Sequence, residues 1–165
     1  MIARLRAVLG LVAVLGCASA GGGSARTGAS GSSAWSGSFR PRPVHSSAEF
    51  GPAVPNRGTG TVSVTPVAGV SGRMRIDLSV NVGVPPGGQI AWAVFGGTCG
   101  SSGLIVANQN DFPPMDISST GDGHFRGEMV FTLDPTSSYH VNVYSSPRAN
   151  DLNDVMMCAD LRPGG

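Results

Sequence analysis

The side chains of this sequence that could do chemistry are few and far apart. Three cysteines and three histidines are spread along the chain, namely Cys17, Cys99, Cys158, His45, His124 and His140. All eleven basic residues are arginine, so the chain has no lysine for a Schiff base or a phosphate-binding P-loop. The serines are many, yet none lies in a G-x-S-x-G nucleophile elbow. The residue types therefore predict a protein that is not an enzyme.

The first residues have the pattern of an export signal. Two arginines precede an apolar stretch, residues 7–15, that is too short to cross a bilayer as a stable helix. It ends in the letters VLGC at residues 14–17, which resemble the bacterial lipobox. The resemblance implies that residues 1–16 are a lipoprotein signal peptide, cleaved before a lipid-modified Cys17. The alternative is an ordinary signal peptide cleaved after the A-S-A pattern at residues 18–20, which would discard Cys17.

Lipid on Cys17 would determine where the protein resides. Each acyl methylene in a membrane contributes about 0.8 kcal/mol, so two or three chains, such as palmitate, hold a protein almost permanently. We therefore predict an exported lipoprotein anchored to a membrane of the bacterial cell envelope, facing the periplasm or the surface.

A segment of low complexity follows the cysteine. Residues 17–48 are mostly Gly, Ser, Ala and Thr, with the isolated aromatic residues Trp35 and Phe39 and a short Arg-Pro repeat at 40–43. Such a composition cannot bury enough apolar surface to become ordered. The segment is predicted to be a flexible tether in which Trp35 is incidental, and the alternative is a tether that binds a neighbouring molecule.

Residues 49–165 have the period of two that is typical of β-strands. Residues 73–84 alternate strictly, with six apolar side chains on one face. Residues 90–95 are apolar on both faces, as in a central strand, and shorter alternations occur at 61–65, 128–133 and 139–143. Turn-forming residues separate these runs, and none has a helical period. The pattern predicts one all-β domain, an antiparallel β-sandwich of six to eight strands with Greek-key or sequential connections.

Cys99 and Cys158 remain once Cys17 is assigned to lipid. An even pair of cysteines in an oxidising compartment predicts a disulfide bond, which would close a loop of about sixty residues. The alternative is a pair of free thiols that bind copper.

Four segments of this domain carry a family resemblance. They read WAVFGGTCG at 92–100, DFPPM at 111–115, YHVNVY at 139–144 and CADL at 158–161. These segments are similar to the W-H-V-H-x-G-x-C-G, aromatic-Pro-Pro-Leu, Y-x-V-N-V-H and C-G-D-L motifs of bacterial exported domains related to CHRD (chordin-type) domains and copper–zinc superoxide dismutase. The resemblance covers about residues 58–161 and implies a Greek-key sandwich with its two cysteines joined.

The departures from that family concern its metal ligands. The positions of its paired histidines hold Ala93 and Phe95, and the position of a later histidine holds Tyr144. Alanine and phenylalanine have no donor atom, and neutral tyrosine is a poor ligand. We therefore predict that the domain binds no metal or other cofactor, and that His124 and His140 are solvated or hydrogen-bonded structural residues.

These observations predict a non-catalytic envelope module that binds another protein or an envelope polymer through its loops. Without the signal peptide, nine arginines face ten acidic residues, which argues against nucleic acid as a partner. The predicted contact surface combines an aromatic-proline loop with an arginine, because such residues dominate binding patches. It consists of Phe112, Pro113, Pro114 and Arg148.

Two alternative functions remain open. The first is a periplasmic metal-binding or redox protein that uses Cys99, Cys158, His124 and His140. The second is a protein that binds a small ligand between its sheets.

Overall fold

Nine β-strands form most of the regular structure in the part of the chain that is described. A computed structural model describes residues 34–42, 57–83, 88–147 and 154–164, all within the unit Gly31–Gly165. The strands are β1 (Trp35–Pro41), β2 (Thr59–Pro66), β3 (Arg73–Asn81), β4 (Gly88–Ile90), β5 (Trp92–Gly96), β6 (Met115–Ile117), β7 (Asp122–Val130), β8 (Tyr139–Tyr144) and β9 (Val155–Pro163). A short 3-10 turn at Gln109–Asp111 precedes β6. Among these residues, no helix is long and apolar enough to cross a membrane.

Hydrogen bonding places the strands in the order β4-β6-β7-β3-β2-β1-β9-β8-β5, with antiparallel neighbours throughout. The two end strands, β4 and β5, are separated in sequence by Ala91 alone. The sheet must therefore curl until its ends meet, and the result is a nearly closed, barrel-like sandwich. This architecture confirms the predicted all-β antiparallel class, while the Greek-key connectivity stays a prediction.

Alternation in the sequence corresponds to alternation in burial. Along β3 every second side chain, from Met74 to Val80, is buried, and the residues between them are exposed or half-buried. Val62 and Val64 on β2 are likewise buried. The strand predicted at 128–133 begins earlier and ends sooner, because β7 covers Asp122–Val130, although Met129 and Phe131 both point inward as expected.

Two predictions about individual strands are wrong. Residues 90–95 do not form one central strand. The strand is interrupted at Ala91, which separates β4 from β5, and β5 lies at the end of the strand order. Ala93 is nevertheless fully buried, and Phe95 is half-buried with a bridge to Ile105 in the following loop. A buried end strand looks like a central strand in sequence, since coverage by a loop has the same compositional effect as coverage by a second sheet.

The second error concerns the predicted tether. Residues 35–41 form β1, which lies between β2 and β9 in the middle of the sheet. Trp35 is 2% exposed and Phe39 is 5% exposed, so both belong to the core. The prediction failed because polar and small residues alternate with these two aromatic side chains, and a strand with one apolar face needs no more than that. Apart from Ala34 and Arg42, the remainder of residues 17–48, including Cys17, lies outside the described residues.

Aromatic side chains fill the inside of the sandwich. Trp92 is fully buried between Phe112 and Phe125, with ring centroids 5.2 and 4.7 Å away. Its indole Nε1–H donates a hydrogen bond to the carbonyl oxygen of Pro113 at 2.9 Å. The polar atom of the tryptophan is thus satisfied inside the core, as burial requires.

Candidate functional site

Cys99 and Cys158 form a disulfide bond, with their sulfur atoms 2.01 Å apart. The bond joins the loop after β5 to the outer face of β9. The copper-binding alternative for these two cysteines is therefore wrong in this structure, because neither sulfur is a free thiol.

The positions that carry the family resemblance lie next to the disulfide on the outer face of β5 and β8. Ala93 and Phe95 are paired there with Asn142 and His140, respectively. The Phe95 ring stacks on the His140 imidazole with centroids 5.5 Å apart. Burial raises the pKa of Tyr144, and a hydrogen bond with the side chain of Asn142 opposes that shift. The face is thus a packed layer of aromatic and polar side chains.

His140 is a buried residue of this layer and is not solvated. It is completely buried, and neither ring nitrogen has a partner at hydrogen-bonding geometry among the described residues. Burial lowers the pKa of His140, and the Gly97 backbone and the Asp160 carboxylate oppose this effect while Arg42 adds to it. Burial therefore favours the neutral form of the imidazole over the charged form.

The charge state of His140 should make folding stability depend on pH. Its folded-state pKa lies below the ordinary 6.5, so the unfolded chain takes up the proton at a higher pH than the folded chain. The stability that comes from keeping His140 neutral is fully present above the unfolded-state pKa of about 6.5. It is lost as the pH falls from there through the lower, folded-state pKa. The urea midpoint of the wild type should therefore drop between about pH 7.5 and about pH 5.5.

Two variants test whether His140 causes this pH dependence of stability. His140→Phe keeps a flat ring against Phe95 and should have a smaller drop in the urea midpoint over this range. His124→Gln removes an exposed histidine that lies 3.9 Å from Asp77 and should behave like the wild type. An unchanged pH dependence in His140→Phe would refute the assignment.

The residues of the predicted metal or redox alternative do not form one site, because His140 lies near the disulfide whereas His124 lies in another part of the sheet. His124 lies on β7, His140 lies on β8, and the two cysteines are bonded to each other. Across residues 34–42, 57–83, 88–147 and 154–164, no group of three or more histidine, cysteine, aspartate or glutamate side chains could hold a metal ion.

The predicted contact loop is also arranged differently from what its sequence suggests. Phe112 is 5% exposed and packs against Trp92, so it is a core residue rather than an exposed anchor. Pro113 and Pro114 are exposed beside it. Arg148 lies outside the described residues. Of the described residues in this predicted surface, the two prolines are exposed and Phe112 is not.

The structure has instead a polar groove that sequence reasoning missed, on the outer face of β2, β1 and β9. Its volume is about 900 Å³. Arginines, hydroxyl-bearing residues, two acids and the disulfide make up most of its lining: Arg40, Arg42, Arg162, Ser36, Ser38, Thr61, Ser63, Asp77, Asp160, Cys99 and Cys158. We call this surface the arginine groove.

Strand register assembles the groove from positions that are distant in sequence. Ser36 on β1 lies opposite Ser63 of β2 on one side and Arg162 of β9 on the other. Ser38 lies opposite Thr61, and Arg40 lies opposite Cys158. Since neighbouring strands are about 4.8 Å apart, these outward side chains form a continuous array across three strands.

Arg42 is held at one end of the groove, just beyond β1. Its backbone N–H donates to the carbonyl oxygen of Met156 at 2.9 Å. Its guanidinium lies above Gly100, which has a φ of +92°, a backbone conformation that favours glycine. The turn next to the disulfide thus lies directly beneath the arginine side chain.

The charges of the groove are unevenly compensated. Asp77 is bound by the guanidinium of Arg126, with Nε and Oδ2 2.7 Å apart. Asp160 accepts a hydrogen bond from the backbone N–H of Cys99 at 2.7 Å. Arg40, Arg42 and Arg162 form no salt bridge with any described residue. The groove therefore presents three guanidinium groups and one carboxylate that is not part of an ion pair.

This lining is suited to binding an anionic ligand that also carries hydroxyl groups. Guanidinium groups bind carboxylates through two parallel hydrogen bonds, and serine and threonine hydroxyls both donate and accept. The two arginines at 40 and 42 are visible in the sequence, but their position in one groove with Arg162 depends on the fold.

Comparison of the chain with protein-family models, curated proteins and solved structures found no match. The resemblance to CHRD-type and superoxide dismutase-like domains thus stays a prediction that the four sequence segments carry.

Proposed function

We propose that this protein is an exported lipoprotein, anchored to an envelope membrane through Cys17, whose β-sandwich is a non-catalytic module that binds an envelope component in the arginine groove. The observation that carries the proposal is the groove itself, with three guanidinium groups that no described carboxylate neutralises. Arginine is the residue that proteins use most often where carboxylates or phosphates bind, because its planar guanidinium matches their geometry.

Two features support the location. Structural disulfides persist in oxidising compartments, and the Cys99–Cys158 bond agrees with export from the cytoplasm. Residues 18–34 separate Cys17 from β1, and a chain of this length spans at most about 60 Å when fully extended. An anchored groove would therefore reach ligands close to the membrane.

The chemistry of the groove supports binding rather than catalysis. Four hydroxyl groups line it, at Ser36, Ser38, Thr61 and Ser63. No histidine or free thiol is among its described lining residues, so none of these hydroxyls has a neighbouring imidazole to act as a general base.

Cells fed labelled palmitate provide the test of both parts of the proposal. We expect the wild type to carry label, to fractionate with membranes and to be crosslinked to envelope material. Cys17→Ser should lose the label and leave the membrane fraction. Ser38→Trp should keep the label but lose the crosslinked material, because the indole would fill the groove floor.

Two matched controls accompany these variants. Gly16→Ala keeps a small residue before the cysteine and should be labelled normally. Val130→Trp places the same indole at an exposed position outside the groove and should retain the crosslinked material. An unlabelled wild type would refute the anchor, and normal crosslinking by Ser38→Trp would refute binding in the groove.

A further inference from the structure

We infer that the ligand of the arginine groove is an acidic polysaccharide, whose carboxylates are bound by Arg40, Arg42 and Arg162 and whose sugar hydroxyls are bound by the serine and threonine array. The inference rests on the proposed function, since it names the class of ligand for the same groove. It is carried by the spacing of the arginines, the hydroxyl floor and the position of Asp160.

The arginines are distributed along the groove. Arg162 pairs with Ser36, and Arg40 follows Ser36 by four residues on the same strand. Four residues of β-strand correspond to about 13 Å, and Arg42 lies two residues further along the chain. A row of positive charges of this length favours a polymer with repeated negative charges over one small anion.

The floor between the arginines is made of hydroxyl groups. The side-chain oxygens of Ser36, Ser38, Thr61 and Ser63 form no hydrogen bond with another described residue. They are presented on adjacent strands at fixed register and point to the same side. Such an array can exchange hydrogen bonds with the hydroxyls of several sugar units, which a polyphosphate does not have.

Asp160 discriminates against densely charged polymers. Its carboxylate lines the groove between the arginines and is fixed by the Cys99 backbone N–H. A phosphate in that position would be repelled, whereas a sugar hydroxyl could donate to the carboxylate. Among the described lining residues there is also no aromatic ring on which a nucleobase could stack. These features favour an acidic polysaccharide over nucleic acid or polyphosphate.

Binding of polygalacturonate oligomers to the detergent-solubilised, full-length mature protein tests the inference. We expect saturable binding that weakens as salt is added, and at least tenfold weaker binding of both neutral dextran and polyphosphate of matched length. Arg40→Gln combined with Arg162→Gln should weaken polygalacturonate binding about 100-fold, since each lost charge-assisted contact corresponds to roughly tenfold or more.

The matched control is Arg73→Gln combined with Arg75→Gln, which removes the same charge from β3 outside the groove. It should change affinity less than about threefold. Equal or tighter binding of polyphosphate, or unchanged affinity in the groove variant, would overturn the inference. If envelope material is crosslinked in a manner that Ser38→Trp abolishes while polygalacturonate does not bind, the groove function stands and the ligand class is wrong.

Discussion

Replacing both Cys99 and Cys158 by alanine should lower the free energy of unfolding by about 4 kcal/mol. The disulfide links residues 59 positions apart, so it removes much of the conformational freedom of the unfolded chain. For a domain of this size, the loss corresponds to a fall in the melting temperature of roughly 15 °C. Thermal unfolding followed by circular dichroism measures it.

Reduction of the wild type is the matched comparison for this variant. Under reducing conditions, the wild type should melt near the temperature of the double-alanine variant, and the variant itself should not respond to reductant. Identical melting of oxidised and reduced wild type would show that the bond contributes nothing to stability. Because the bond also lines the arginine groove, its loss should loosen the turn beneath Arg42 as well.

Substitution of Trp35 by alanine should destabilise the domain by about 4 kcal/mol, although the sequence places this residue in a low-complexity segment. The side chain is 2% exposed and meets the ring of Tyr139 edge-to-face, with centroids 5.4 Å apart. Truncation would leave a large cavity where β1 joins β2 to β9. Denaturant unfolding followed by circular dichroism gives the change in free energy.

Ser36→Ala is the control on the same strand, because Ser36 is the neighbouring residue on the exposed face. Its effect should stay within about 0.5 kcal/mol. A loss of less than about 1 kcal/mol in Trp35→Ala would contradict the assignment of β1 to the core, since removal of a buried aromatic side chain costs more than that. The arginine groove would then lose its central strand, so this experiment also tests the frame of the proposed binding site.

The all-β class, the inward faces of the long strands and the disulfide could all be predicted from the sequence. Strict alternation over residues 73–84 leaves one solution for β3, because a shift by one residue would expose every apolar side chain. The disulfide was predictable for a different reason. Two cysteines remain if Cys17 carries lipid as predicted, and an even pair of cysteines in a protein predicted to be exported favours a disulfide bond.

The surface that could bind a ligand was not predictable from the sequence, because it depends on which strands pack side by side. Composition identifies a segment by its average polarity, so β1, with Trp35 and Phe39 among serines and arginines, resembled a tether. Its burial depends on β2 and β9, which are distant in sequence. In the same way, Phe112 was indistinguishable from an exposed anchor until its contact with Trp92 was known.

The arginine groove also depends on contacts between residues that are distant in sequence. Arg40 and Arg162 are at opposite ends of the domain sequence, and they line the same groove because β1 pairs with β9. Local periodicity fixes which face of a strand is outward, but it contains no information about which strands are adjacent. Strand adjacency, set by closure of the whole sheet, brought the three arginines and the hydroxyl floor together.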